Sequence, residues 1–279
     1  MPKLSQFTIA KTPGAWTITF SNPPINMFDP TTIVELRALL GNLEADPSVK
    51  VMVFQSAHPD FFVAHFDLPK AAEQPEVLGL WRDVVLRLSS APVVSIAKIR
   101  GRTRGIGSEF VLACDMRFAS RKSAVFGQPE VGVGVIPGGG ALEWLPRLVG
   151  RSRALEIALS ADDFDADVAE RYGWVNRTLD DDDLDPFVDA LAARLATFGR
   201  ETLAAAKAQI NRFGMPTAAE LQSSNDLIWK TLASPDAQAR GPKQRSIGYG
   251  VPSDFELNFG RYLPSFGQAD DDNTHSHPT

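Results

Sequence analysis

The stretch from Ser95 to Gly140 reads SIAKIRGRTRGIGSEFVLACDMRFASRKSAVFGQPEVGVGVIPGGG, and it decides both the fold and the chemistry that we expect of this chain. Glu109 lies just inside a predicted helix whose start is marked by Gly105 and Gly107. Glu130 ends a short extended run, SAVFGQPE. Two carboxyl groups that come from separate elements into one pocket suit acid–base chemistry on water, because one can remove a proton while the other supplies one.

Short strands alternate with helices on both sides of this stretch. FTIAK and WTITFS flank TPGA and predict a hairpin, and VKVMVFQS, which starts at Val49, predicts a buried strand. Asp29 and Pro30 predict a helix start with Asp29 as the N-cap, and a further helix is expected over residues 76–88. After about residue 185 only helical patterns remain. This order predicts an α/β layered structure followed by a helical C-terminal region.

The composition narrows the class of protein. The chain has 279 residues, a formal net charge of −6 and no long basic block, so we expect no nucleic-acid partner. No apolar run approaches the roughly 18 residues of a membrane span, and the first residues lack the pattern of a secretory signal. We therefore expect a cytoplasmic protein with no membrane partner. Cys114 is the single cysteine, which excludes an intrachain disulfide and a multi-cysteine zinc site, and we expect no metal.

Several motifs in and after the quoted stretch resemble the enoyl-CoA hydratase/isomerase family, also called crotonases. The family pattern is a Gly-rich turn into a helix that carries Glu, then a P-E step, then a glycine-rich I-P-G-x-G segment. The corresponding pieces here are GIGSEFVLACD, FGQPE, VIPGGGALEWLPRLVG and RSRALEIALSADDFDADVAERYGWVNRTL. The resemblance covers about residues 5–215, and the combination of motifs is far more specific than the G-x-G alone.

The resemblance implies a fold and a domain organisation. It implies a crotonase-like spiral of ββα units over residues 1–185, which would hold an acyl-CoA site. It also implies a helical oligomerisation region over residues 186–266, with a homotrimer or a dimer of trimers as the assembly. Residues 267–279 are polar, and their composition predicts a disordered tail.

The resemblance also implies an activity. Glu109 and Glu130 occupy both positions that hydratases of the family use, which favours addition of water across the 2,3 double bond of an enoyl-CoA thioester. Coenzyme A would enter as part of the substrate, so no separate cofactor is expected. Two alternatives stay open, namely double-bond isomerisation or another crotonase reaction through an enolate, and an inactive acyl-CoA-binding protein.

Two backbone N–H groups form the oxyanion hole of crotonases, and the resemblance assigns them to Ala64 and Ile106. A helix start also suits this task physically, because its N–H groups are unpaired and carry partial positive charge. The chain departs from the family where His65 and Ile106 replace the usual glycines. His65 is therefore either a group that binds or protonates the substrate, or a local hydrogen-bonding residue beside the hole.

The residues that follow Ala64 complete the predicted binding set. The resemblance places His65, Phe66, Asp67 and Lys70 at the substrate, with Lys70 as the candidate contact for the phosphates of coenzyme A.

Basic residues and chain breakers give two further expectations. Four basic residues alternate along one segment: Lys98, Arg100, Arg102 and Arg104. If this segment is extended, their side chains lie on one side of it. We expect them either to form ion pairs or to contact a phosphate or a neighbouring subunit. The C-terminal region contains Gly241, Pro242 and Gly250, which we expect to break a long helix.

Overall fold

Two sheets organise the chain in the computed structural model, which describes residues 4–267. Ten strands form them: β1 Phe7–Thr12, β2 Ala15–Phe20, β3 Val51–Ser56, β4 Phe61–Val63, β5 Val94–Ile99, β6 Arg102–Arg104, β7 Met116–Ser120, β8 Val125–Gly127, β9 Asp163–Asp165 and β10 Arg177–Leu179.

Helices fill the intervals and the C-terminal part of the described chain. The first seven are α1 Pro30–Ala45, α2 Leu68–Glu73, α3 Pro75–Ser90, α4 Ile106–Ala113, α5 Ala141–Val149, α6 Arg151–Ser160 and α7 Ala166–Tyr172. The other six are α8 Asp181–Ala196, α9 Arg200–Gly214, α10 Ala218–Leu232, α11 Pro235–Ser246, α12 Asp254–Leu257 and α13 Phe259–Tyr262.

The chain forms a spiral because the strands from β3 to β8 alternate between the two sheets. The larger sheet has the order β1-β2-β3-β5-β7-β10, and the smaller has the order β4-β6-β8-β9. The pairs β3/β4, β5/β6 and β7/β8 therefore each place one strand in each sheet before the chain continues into helices. The predicted spiral of ββα units is confirmed.

Local sequence signals account for the start of α1. The side chain of Asp29 accepts a hydrogen bond from the Thr32 N–H at 3.0 Å, and Pro30 occupies the first turn. The reciprocal bond from the Asp29 N–H to the Thr32 hydroxyl completes a capping box. The predicted N-cap and the β1–β2 hairpin are both confirmed.

Helix α4 is buried along its whole length. Its sequence, IGSEFVLA, is apolar on nearly every face, which is typical of a helix enclosed by other elements. It contacts β4, β6, α3 and α5. The helix therefore carries its one ionisable residue, Glu109, into the protein interior.

The basic residues around Gly101 do not share one side. Gly101 has φ +76° and ends the extended run, so β5 and β6 lie in different sheets. On the β5 side, Lys98 pairs with Asp185 at 2.8 Å and Arg100 pairs with the same carboxylate at 2.9 Å. These two side chains thus bind helix α8 to the larger sheet.

The other two basic residues face the C-terminal segment. Arg104 is fully buried and forms a bidentate ion pair with Asp163, at 2.6 and 2.7 Å. Arg102 donates to the carbonyl of Leu257 at 3.1 Å. The expectation of one shared side is therefore wrong, and the ion-pair role predicted for this group holds for three of its four members.

Helix α8 belongs to the core, although a boundary was predicted at residue 185, inside this helix. Leu184, Val188 and Ala192 pack on the outer face of the larger sheet, against Val51 and Ile96 among others. The acidic run before Leu184 provides the N-cap, Asp180, and the first turn of α8.

Glycine and proline do not end helix α11. It runs through both Gly241 and Pro242 to Ser246, so the predicted break is wrong at these two positions. Gly250 lies beyond the helix in a turn, where its φ of +79° suits glycine. The predicted tail, except for residue 267, lies outside the described residues.

Within the described part of the chain, no helix combines the length and the apolar character needed to cross a bilayer. Cys114 is a buried core thiol, and burial raises its pKa.

Truncation of Leu184 tests whether α8 is part of the core. Leu184 is fully buried, so Leu184→Ala should lower the free energy of unfolding by about 2–5 kcal/mol in one cooperative transition. Leu159→Ala is the control, because Leu159 is 61 % exposed and its loss should cost no more than about 0.5 kcal/mol. Equal small effects in urea denaturation would show that α8 is not a core helix.

Candidate active site

Glu109 is a buried carboxyl group held by the start of a second helix. Its Oε1 accepts hydrogen bonds from the Gly139 N–H at 2.7 Å and from the Ala141 N–H at 3.3 Å. Ala141 is the first residue of α5, so this carboxyl group lies at the positive end of a helix. Burial raises the pKa of Glu109 to about 7, and the two N–H bonds oppose part of that rise.

Glu130 follows β8 and Pro129 and opens the short turn at 131–133. Its Oε2 is fully buried and has no hydrogen-bond partner among the described residues. A Cβ atom on Gly105 would lie only 2.8 Å from its Oε1, so the glycine at the start of α4 leaves room for this carboxyl group. Burial, and then the negative charge of Glu109, raise the pKa of Glu130 well above its usual value.

The structure places both glutamates on the wall of one cavity of about 130 Å³. Each carboxyl group resists ionisation because it is buried, and each negative charge makes the other costlier. Two such carboxyl groups titrate in two steps, and the apparent pKa of each step is a property of the pair and not of one residue. Glu109 has two N–H donors that favour its ionised form, whereas Glu130 receives no hydrogen bond from a side chain or from another residue's N–H within residues 4–267. These hydrogen bonds favour Glu109 over Glu130 as the ionised member of the pair.

Ala64 does not supply a free N–H, so this assignment is corrected. Its N–H donates to the Asn26 carbonyl at 3.1 Å. Its side chain packs with Ile25 and Phe61 in a separate apolar cluster, and it is not among the residues that line the cavity. The segment from Asn26 to Phe28 runs beside residues 64–67 and takes up this donor.

Phe66 has the free N–H that was sought at Ala64. Phe28 donates its N–H to the His65 carbonyl at 3.0 Å and accepts the Asp67 N–H at 2.8 Å, which makes a parallel bridge between Phe28 and Phe66. In a bridge of this kind the N–H and C=O of Phe66 itself point away from Phe28. Within residues 4–267 the Phe66 N–H has no acceptor, and Phe66 lines the cavity.

Ile106 supplies the second free N–H, as expected. It is the first residue of α4, and it follows Gly105, whose φ is +52°. Its N–H has no acceptor in the described part of the chain, and its side chain lines the same cavity. The helix start therefore directs an unpaired donor and partial positive charge at the cavity.

His65 lines the cavity, but both of its ring nitrogens have protein partners. Nε2 lies 2.9 and 3.0 Å from the two carboxylate oxygens of Glu256, and Nδ1 lies 3.1 Å from the carbonyl oxygen of Phe66. Tyr249 stacks on the ring with centroids 4.7 Å apart. Of the two roles considered for His65, this geometry matches the local hydrogen-bonding residue.

Asp67 and Lys70 are placed outside the cavity wall. Asp67 is the N-cap of α2, where its Oδ1 accepts the Lys70 N–H at 3.1 Å. The ammonium group of Lys70 lies 3.3 Å from Asp29 and 3.4 Å from Asp67. The structure thus gives both residues a role in fixing the loop after β4, and it gives no contact between them and the cavity.

The C-terminal helices cover the cavity, which the sequence did not indicate. A helical pattern predicts a helix but not the site over which it lies, and no motif singled these residues out. The lining residues not predicted from the sequence include Trp81, Asn225, Ile228, Trp229, Leu232, Tyr249 and Phe259. The cavity is therefore largely apolar and closed on one side by the same chain.

This arrangement combines two free N–H donors with a pair of carboxyl groups in an apolar enclosure. Low polarity strengthens hydrogen bonds to a developing negative charge. No group of three or more His, Cys, Asp or Glu side chains suited to a metal ion occurs within residues 4–267.

Comparisons with known proteins agree with the fold and the motifs. The family model described as enoyl-CoA hydratase/isomerase matches residues 11–244. A crotonyl-CoA hydratase from Syntrophomonas wolfei is 33% identical over 198 residues, which are 69% of this chain and 75% of that protein. A short-chain-enoyl-CoA hydratase from Clostridium acetobutylicum is 31% identical over 70% of this chain and 77% of its own length.

Solved structures extend the similarity to nearly the whole chain. A protein from Streptomyces avermitilis with a provisional enoyl-CoA hydratase assignment is 42% identical. It superposes with a TM-score of 0.91 over 95% of this chain and 98% of its own. The fold, the motifs and the extent of these matches show that the chain belongs to the enoyl-CoA hydratase/isomerase family.

Proposed function

We propose that this protein hydrates 2,3-enoyl-CoA thioesters. The observation that carries the proposal is the placement of Glu109 and Glu130 on one cavity wall together with two unpaired N–H donors. The names of the crotonyl-CoA and short-chain-enoyl-CoA hydratases among its relatives support the same reaction. A reaction that needed one glutamate alone would leave the second carboxyl group buried without a task.

The thioester oxygen would bind between the N–H groups of Phe66 and Ile106. Addition of water at C3 pushes electrons toward this oxygen and produces an enolate. Two preorganised donors stabilise that charge, and removal of one donor of this type typically costs about 2.7–4 kcal/mol of transition-state stabilisation.

The two carboxyl groups would divide the proton transfers. Glu109, ionised, removes a proton from water as the water oxygen bonds to C3. Glu130, protonated, donates its proton to C2 as the enolate collapses. One water is consumed, and the proton on Glu109 then returns to Glu130 through the next water that enters. This division is supported by the two N–H donors that favour ionised Glu109, since no other residue within 4–267 donates a hydrogen bond to the Glu130 carboxyl group.

Substitution of either glutamate tests this division. Glu130→Gln should lower hydration of crotonyl-CoA by about 10²–10⁴-fold, because an amide cannot donate the proton to C2. It should also abolish exchange of the C2 protons of butyryl-CoA with D₂O, which is followed by NMR. Glu109→Gln should lose hydration by a similar factor but keep C2 exchange, because Glu130 remains next to C2.

Binding of butyryl-CoA and the melting temperature are the controls for both variants. Loss of C2 exchange in Glu109→Gln with its retention in Glu130→Gln would reverse the two roles. A parent protein that moves the double bond of a 3-enoyl-CoA but never hydrates crotonyl-CoA would make it an isomerase, and the proposal would be wrong.

We also propose that the chain forms a homo-oligomer, a trimer or a dimer of trimers. Helix α9 has no fully buried residue, and it exposes Ile210 at 71 % and Phe213 at 89 %. An apolar helix face normally packs against a partner. The family resemblance supports a second copy of this chain as that partner.

Charge introduced on α9 should dissociate the oligomer. Phe213→Glu would place a carboxylate in an apolar contact, so light scattering should report a smaller mass than that of the parent. Lys122→Glu is the control, because Lys122 is exposed outside α9. A parent that is monomeric at micromolar concentration would contradict the proposal.

A further inference from the structure

Glu256 is a fully buried carboxylate in the C-terminal segment, and within residues 4–267 no hydrogen bond joins it to Glu109 or Glu130. Its Oε1 accepts the Gly250 N–H at 2.7 Å. Both of its oxygens lie within 3.0 Å of His65 Nε2. Within residues 4–267 the only side-chain partner of this carboxylate is His65, which lines the cavity. Buried ion pairs often add no net stability, so a functional reason for this pair is worth seeking at the cavity.

His65 transmits this contact to Phe66. A carbonyl oxygen can only accept, so His65 Nδ1 donates to the Phe66 carbonyl, at 3.1 Å. The Tyr249 hydroxyl donates to the same oxygen at 2.9 Å, and the Leu68 N–H donates to it at 3.0 Å. Three donors thus hold the carbonyl of Phe66, and because the N–H and C=O of this residue point to the same side, they also set the direction of its N–H.

The main chain of Glu256 is hydrogen-bonded near the second donor of the proposed oxyanion hole, the Ile106 N–H. Arg104 donates to the Glu256 carbonyl at 2.6 Å, and its other amino group donates to the Leu257 carbonyl at 3.2 Å. Arg104 is fully buried, and it precedes Ile106 by two residues. Glu256 is therefore connected to Phe66 through its side chain and to the start of α4 through its backbone.

We propose that Glu256, His65 and Tyr249 are positioning residues that hold the Phe66 N–H at its working distance from the Ile106 N–H. The inference rests on the proposed function, because it assumes that these two N–H groups bind the thioester oxygen. It gives His65, which stands where the family usually has glycine, a task that no glycine could perform.

Glu256→Gln tests this role with little change in shape. The amide keeps one acceptor for the Gly250 N–H but loses the charge and the second oxygen that hold His65. Loss of alignment at a reacting centre can cost up to about 10²-fold, so kcat for crotonyl-CoA should fall about 10- to 100-fold. The dissociation constant for butyryl-CoA, which cannot be hydrated, should stay within about twofold.

Butyryl-CoA labelled with ¹³C at C1 reports the hole without turnover. The thioester carbon should move downfield when the parent binds it, because hydrogen bonds to the oxygen polarise the carbonyl. In Glu256→Gln at least half of this shift should be lost. Glu44→Gln is the matched control, because it removes the charge that pairs with Arg87 at 2.7 Å between α1 and α3, while Asp83 still pairs with Arg87 at 3.7 Å. It should keep both kcat and the downfield shift.

Tyr249→Phe tests the same positioning role if Glu256→Gln does not fold. It removes only the hydroxyl that donates to Phe66, and it should lower kcat and the ¹³C shift together with unchanged binding. Folded variants that keep the parent's kcat and shift would overturn the inference, as would a dissociation constant that rises in step with the loss of kcat. No shift in the parent would show that the hole itself is absent, and the proposed function would fail with it.

Discussion

The burial of the Glu109 carboxylate is the constraint on which the rest of the site depends. An ionised carboxyl group away from water is costly unless hydrogen-bond donors surround it. The N–H groups of Gly139 and Ala141 provide them at the start of α5. A Cβ on Gly139 would lie 2.1 Å from Glu109 Oε2 and 2.4 Å from Trp81 Nε1, so only glycine lets the chain approach this closely. The glycine at position 139 is thus a consequence of where the carboxyl group lies.

The spiral fold provides the geometry that the chemistry needs. Helix α4 lies between the sheets and carries Glu109 inward, while β8 ends at the step that presents Glu130. The same helix start leaves the Ile106 N–H unpaired, and the short bridge at Phe28 leaves the Phe66 N–H unpaired. Each of these two donors is a backbone N–H that secondary structure would normally pair. The same helix start and bridge that build the fold therefore leave the two N–H groups available to a ligand.

Features encoded by neighbouring residues were predictable, and features that depend on distant contacts were not. The cap at Asp29, the hairpin and the two glutamates carry local signals, and the structure places them as expected. The free N–H at Phe66 could not be chosen over Ala64 from the sequence, because the choice depends on how residues 26–28 pair with residues 64–67. The cover over the cavity likewise depends on the path of the C-terminal helices, which helical periodicity leaves open.

The proposed mechanism requires that Glu109 and Glu130 share one proton near neutral pH. Site-specific ¹³C NMR of the glutamate side-chain carboxyl carbons, titrated in the intact protein and assigned with Glu109→Gln and Glu130→Gln, measures this directly. One carboxyl group of the pair should stay protonated well above the usual glutamate range, because burial raises the pKa of both groups. Two carboxyl carbons that both titrate near the ordinary value, about 4.3, would contradict it.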